Sequence, residues 1–161
     1  MGLLTLVQRQ LTLENLGSLM PLRFDLGPFE KLHIGKTVLS NSHERAYLAF
    51  EGDVPIMRGK DVLQPDMASN SLEKLYCCMQ KIYLEQTFAE HQGSYLTLVV
   101  QALKEEPSLH AQLKQLDALF HAGEHYKALK GLKSLISPSA FVVDRSEPSN
   151  YVRRGTLASP I

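Results

Sequence analysis

The chain has 161 residues, enough for one domain or for two small ones sharing an interface. A hydrophobic share of 44% and a charged share of 21% are those of a globular chain, and they exclude global disorder and collagen or coiled-coil bias. Lys and Arg total 17, as do Asp and Glu, so the net charge is zero and binding to nucleic acid or membrane by bulk positive charge is excluded. Any nucleic-acid contact has to come from a local patch with specific geometry.

No apolar run approaches the roughly 18 residues that a membrane helix needs. The first residues lack a basic region followed by an unbroken apolar stretch, so no secretory signal is evident. The two cysteines, Cys77 and Cys78, are neighbours. They cannot close an ordinary disulfide, and no second pair completes a zinc site. This points to a reducing, cytoplasmic address. The plain reading of both is small apolar residues on or near a helix face.

Residues 1–19 hold several leucines without clear periodicity, and Met20 opens a different pattern. Met20 is read as the natural start, with residues 1–19 a disordered upstream leader. From residue 21 to 63 the apolar pattern has period two. Leu22, Phe24 and Leu26 alternate with Arg23 and Asp25, and Gly27-Pro28 breaks the run. Leu32 and Ile34 alternate with Lys31 and His33 as far as Gly35. Val38 lies in a third run, Ala46, Leu48 and Phe50 form a fourth, and Val54 and Ile56 begin a fifth that continues to Leu63. Five short runs bounded by turn residues predict antiparallel β-structure with one buried and one wet face.

At Gln64-Pro65 the period changes. Asn70 followed by Glu73 fits a helix-capping arrangement. Leu72, Leu75, Tyr76, Met79, Ile82 and Tyr83 then step at three and four, the spacing of an amphipathic helix. A second helix carries Tyr95, Leu98, Val99, Ala102 and Leu103, and Glu105-Glu106 reads as its solvated end. After Pro107 a third carries Leu109, Leu113, Leu116, Leu119 and Phe120, and Gly123 suits its end. A fourth carries Tyr126, Leu129, Leu132, Leu135 and Ile136. Short connectors make the helices antiparallel neighbours. The expected fold is α+β: an N-terminal antiparallel β-sheet or small barrel over residues 20–68, then a four-helix bundle over 69–136. Residues 137–161, rich in serine and proline, read as a flexible tail.

Catalytic motifs are wanting. His121 and His125 have metal-ligand spacing, but Gly123 stands between them and no third ligand is obvious. Nucleophile elbows, phosphate-binding glycine loops and dinucleotide fingerprints are absent. The expectation is a non-enzyme with no cofactor and no metal. The basic residues carry more. Arg23, Lys31, Arg45, Arg58 and Lys60 fall at wet positions of the β-rich part, with Lys36 at a turn and Tyr47 near Arg45. A solvated face of mixed charge is the plain alternative. Readers of single-stranded RNA can nonetheless be near neutral, because stacking and base-edge contacts supply their specificity.

Several blocks resemble the FlbT family of flagellin biosynthesis regulators. They are LGPFEKLHIG at residues 26–35, DVPIMRGKDVLQP at 53–65, LYCCMQKIYL at 75–84 and GEHYKALKGLKSLI at 123–136. They occur in order and cover about residues 20–136, while the stretch before Met20 departs from the family pattern. The resemblance implies a cytoplasmic bacterial protein that associates with the 5′ untranslated leader of flagellin mRNA and affects its translation and decay. The partner it implies besides the message is FlaF.

A fainter likeness links GPFEKLHIGKTV and VPIMRGKDV to the first hairpin and last strand of the carbon-storage-regulator family of RNA-binding proteins. It implies that Arg58 is the RNA-reading arginine and that Leu22 to Asp25 form the first strand. Met57, Gly59-Lys60 and the long helical segment depart from that family, and chance likeness of short strands stands as the alternative. On this reading Arg58 and Lys60 contact bases and phosphates, with Arg23, Arg45, Lys31 and Lys36 in support. The rival expectation is a protein-interaction module that binds flagellin or FlaF through the helices without touching RNA. No membrane partner is expected, and homo-oligomerisation is left open.

Overall fold

A computed structural model describes residues 21–146. The leader expected over residues 1–19 and the tail beyond residue 146 lie outside the described residues. The fold is α+β, with antiparallel strands first and helices after them. The strands form two sheets, one of two strands and one of three. The chain divides into two compact units, and residues 32–39 and 54–68 of the β-rich part belong to the unit that holds the helices.

The smaller unit contains a ribbon of β1 (Leu22–Leu26) and β4 (Ala46–Phe50). They pair antiparallel with Leu22 opposite Phe50 and Leu26 opposite Ala46. This register puts Leu22, Phe24, Leu26, Leu48 and Phe50 on one face, where the Phe24 and Phe50 rings meet edge to face at 5.7 Å. Arg23, Asp25 and Tyr47 take the other. The unit turns on Asn41, which is buried. Its amide donates to the carbonyls of Leu26, Gly27 and Glu44, and its oxygen accepts the Ser42 N–H. These bonds hold the turn at residues 27–30, where Phe29 adopts a left-handed φ of 58°. Asn41→Ala is expected to cost about 1–3 kcal/mol, because carbonyls without partners remain in a closed loop. Faster amide exchange through β1 and residues 41–44 would register the loss, and exchange at the wild-type rate would refute it.

All but the end residues Lys31 and Ser40 of a second sheet, β2 (Lys31–Ile34), β3 (Thr37–Ser40) and β5 (Ile56–Arg58), ordered β3-β2-β5, belong to the larger unit. A two-residue loop, Gly35-Lys36, joins β2 to β3. Gly35 has φ 56°, the glycine-first arrangement of a type II′ turn, whose twist suits a hairpin. The fifth apolar run yields only three residues of strand, because Gly59–Asp61 folds into a 3-10 turn. Met57, Val62 and Leu63 of this run join the helical core.

Four helices follow: α1 (Ser71–Glu85), α2 (Phe88–Glu105), α3 (His110–His121) and α4 (His125–Lys133). Helix α1 packs on α2 and α4, and α3 packs on α4. The core takes Leu75, Tyr76, Met79 and Ile82 from α1, Tyr95 and Ala102 from α2, and Leu113 and Phe120 from α3. Ala128, Leu129 and Leu132 of α4 complete it. Residues 138–141 were expected to open a tail. Instead Pro138–Ala140 forms a 3-10 turn and the Phe141 ring meets Tyr76 edge to face at 5.2 Å. Aromatic area enough to seal the core overrides the local excess of serine and proline.

Helix ends are built as the residue types demand. The Asn70 side chain accepts the Glu73 N–H at 2.9 Å, and the Glu73 carboxylate reaches back to the Ser69 N–H and hydroxyl. Glu105 is exposed, as read from sequence, and also accepts the N–H and hydroxyl of Ser71, so the end of α2 caps the start of α1. Helix α3 ends on Gly123 at φ 85°, with Gly123 N–H on Phe120 O and Glu124 N–H on Leu119 O. Hydrogen bonds from Ser69 hold the Glu73 carboxyl below its ordinary value, and those from Ser71 do the same for Glu105. Both carboxylates therefore contribute stability that is present above the ordinary value of 4.5 and lost as pH falls below it. The melting temperature is expected to drop between pH 5 and 3, less steeply in Glu105→Gln. An identical pH profile for that variant would remove Glu105 from the account.

Candidate nucleic-acid interface

Helix α4 reads HYKALKGLK. Ala128, Leu129 and Leu132 face the core, so the helix carries Tyr126, Lys130 and Lys133 toward the flank of that apolar stripe. Here the larger unit has a cleft of about 340 Å³, lined by Met57, Asp61, Tyr76, Tyr126, Leu129, Lys130 and Lys133. Its volume is at the low end of ligand pockets, roughly 300 Å³ and upward. Met57, Tyr76 and Leu129 are buried and form an apolar floor. Tyr126, at 40% exposure, supplies an aromatic wall and leans on Tyr83 with ring centres 5.8 Å apart.

The polar rim is held in place from below. The Tyr76 hydroxyl donates to the Asp61 carbonyl, and burial raises its pKa so that it stays a donor. Two residues on, the Gln80 amide clamps both backbone groups of Leu63, accepting its N–H at 2.9 Å and donating to its carbonyl at 3.0 Å. The Lys133 ammonium pairs with the Asp61 carboxylate, approaches the Lys60 carbonyl at 3.4 Å and lies 4.8 Å from the centre of the Phe141 ring. Lys130 covers the Tyr126 ring at 5.1 Å and is exposed. The arrangement offers an apolar floor, an aromatic face, an exposed lysine and a carboxylate–ammonium pair.

The six basic residues singled out from sequence divide three and three between the units. In the smaller, Arg23 is exposed on β1, and Arg45 donates to Asp25 at 2.9 Å and bonds Tyr47. Tyr47 itself is 75% exposed. Lys31 is half-buried at the start of β2. In the larger, Lys36 is exposed in the hairpin turn and lines a different groove with His33, Cys77 and Lys81. Burial pushes the Cys77 thiol up to about 11, and Cys78 up as well, which disfavours the thiolate of each.

Lys60 is exposed in the turn that supplies Asp61 to the cleft. Arg58, placed from sequence on the wet face, stands opposite Leu32 in the sheet and shares its side with that fully buried leucine, so it is half-buried. Sequence reasoning missed Asp61, Tyr126, Lys130 and Lys133. The available signal was lysine at every third position of α4, at 127, 130 and 133, with an aromatic four residues before Lys130.

His121 and His125 do not share a helix face, since Gly123 ends α3 between them. The Nδ1 of His121 is 2.9 Å from the Asp117 carbonyl, and the His125 ring packs on Phe120 at 4.5 Å, where burial lowers its pKa. Among the described residues no group of three metal-ligating side chains occurs, and no helix is long and apolar enough to cross a membrane.

The α+β chain carries a cation-rimmed, aromatic-walled cleft in its larger unit. It belongs to the FlbT family: the model of that family, described as flagellar protein FlbT, matches residues 22–140. Among similar proteins is the "Probable flagellum biosynthesis repressor protein FlbT" of Rhodopseudomonas palustris strain TIE-1. It is 33% identical over 126 residues, which is 78% of this chain and 100% of that protein. A Bradyrhizobium diazoefficiens protein of the same name, numbered 1, is 30% identical over 73% of this chain and 82% of its own length. One from Caulobacter sp. strain K31 is 29% identical over 73% and 92%. No solved structure matches the chain.

Proposed function

We propose that this protein is a cytoplasmic, post-transcriptional regulator of flagellin synthesis that binds the 5′ untranslated leader of flagellin mRNA. The observation that carries the reading is the cleft beside α4, where Tyr126 stands with Lys130 and Lys133 over an apolar floor. Single-stranded RNA is bound by such a combination: bases stack on aromatic or apolar surface while cations take the phosphates. The repressor names of the relatives support a regulatory role in flagellum biosynthesis. Occupancy of the leader blocks ribosome loading and leaves the message open to decay. The chemistry is steric, with no bond made or broken by the protein.

A second reading is a module that binds flagellin or FlaF through its helices. The exposed Leu96 and Val100, one turn apart on α2, favour it, as does the zero net charge. A salt titration of leader-RNA binding by the purified protein separates the two. The RNA reading expects binding at low salt that weakens steadily as salt rises, each phosphate contact adding about 0.7 to the slope. Absence of binding at low salt would leave the interaction module.

A further inference from the structure

We infer that the cleft beside α4 reads one unstacked base and that the base is guanine. The inference rests on the RNA reading of this site and adds the identity of what enters it. The decisive feature is the order of polar groups at the rim. The Asp61 carboxylate and the Lys133 ammonium sit side by side on the cleft wall, the first an acceptor with two oxygens and the second a donor. The Watson–Crick edge of guanine presents the complement: an acceptor at O6, then donors at N1 and N2. One carboxylate takes both donors while the ammonium takes O6, which gives three charge-assisted hydrogen bonds. Adenine and uracil each place only one donor beside the acceptor that would face Lys133, so each makes two, and cytosine likewise offers the carboxylate a single donor group.

Other features of the cleft agree. Its volume of about 340 Å³ holds one nucleoside rather than a stack. Met57 and Leu129 offer an apolar floor, and the Tyr126 ring a face for the base. Lys130 now covers that ring, and being exposed it can exchange the ring for the phosphate of the bound nucleotide. Asp61 and Lys133 are both partly exposed, at 24% and 34% of their side chains, so both can be reached by an entering base edge. The backbone of the Asp61 turn stays anchored by Tyr76 throughout.

The same chemistry fits guanine within single-stranded RNA and guanine in a free nucleotide, and the test separates them. Fluorescence anisotropy would be measured with labelled single-stranded heptamers: all uridine, one central guanosine, one central adenosine and one central inosine. Flagellin leader RNA and 5′-GMP serve as competitors. The expected result is about tenfold tighter binding of the guanosine heptamer than of the adenosine or all-uridine ones. Inosine, which lacks the 2-amino donor and so makes two of the three bonds, should bind like the adenosine heptamer. Asp61→Asn keeps shape but leaves one acceptor in place of two, so it should erase the guanosine preference and bring the heptamers to a common affinity. Lys133→Gln should weaken guanosine and inosine alike. Leader RNA that binds with equal affinity for all four heptamers would overturn the guanine inference and leave the RNA reading standing. Binding of 5′-GMP without binding of any RNA would support the guanine pocket and overturn the RNA reading. Failure of both ligands would overturn both.

Discussion

Leu75→Ala is expected to destabilise the protein by about 2–5 kcal/mol, whereas Leu116→Ala should cost clearly less. Leu75 is 2% exposed in the middle of α1 and lies in the core with Tyr76, Met79 and Leu129. Truncation there removes the transfer energy of the buried atoms and leaves a cavity that two packed helices cannot collapse. Leu116 occupies an equivalent apolar position of α3, yet it is only half-buried. It lies against Gly131 of α4, where an added Cβ would come within 2.3 Å of its Cδ2. Solvent is within reach, so part of its loss is repaired by water and by rotation of neighbours. Urea midpoints of the two variants decide the point. Equal shifts would mean that helices α3 and α4 are packed otherwise.

A comparably large effect is expected on binding. Tyr126→Ala should weaken leader-RNA affinity by about 1–3 kcal/mol, the value of one base stacked on an aromatic side chain. With 40% of its surface exposed, Tyr126 contributes little to the core, so the fold is spared. The double variant Lys60→Ala, Lys130→Ala should lower the salt slope by about 1.4, at roughly 0.7 for each lost single-strand phosphate contact. These two lysines are the suitable pair because both are exposed, while Lys133 also ties α4 to the Asp61 turn and to Phe141. Arg58→Ala is a poorer probe than its place in the sequence suggests, since its half-buried position beside Leu32 mixes packing with binding. Unchanged affinity in Tyr126→Ala together with an unchanged slope in the double variant would move the RNA surface elsewhere, first to Arg23 and Tyr47 on the ribbon.

The α+β class, the five strands and the four helices were legible because each rests on local periodicity and on turn residues. Period two between Leu22 and Ile34, the Asn70 cap and Gly123 all act within a few residues of themselves. Pairing of β1 with β4, and of β2 with β5 across its other edge, is set by contacts distant in the chain, so sequence offered a sheet or barrel where two sheets stand. The same distance explains Glu105, whose partner Ser71 is 34 residues away. It explains Phe141 too, whose partner Tyr76 lies far away in the chain.

The site was half legible. Lys60 marked the turn, but the cleft arises only when residues 57–61 meet α4, and Tyr126 fits the helix's apolar stripe as well as it fits a rim. Gln80 carries the same lesson: a polar residue on an apolar face, it is spent on the backbone of Leu63 and so positions Asp61.

Direct contact between this cleft and the message is the central claim, and photo-crosslinking tests it most directly. Leader RNA carrying photoreactive bases would be irradiated with the full-length protein at low salt, and the crosslinked peptides mapped by mass spectrometry. The account predicts crosslinks on Tyr126 and neighbouring residues of α4, and on the 59–61 turn, all suppressed by excess unlabelled leader. Crosslinks confined to other elements, or a protein that crosslinks to no leader RNA at all, would contradict it.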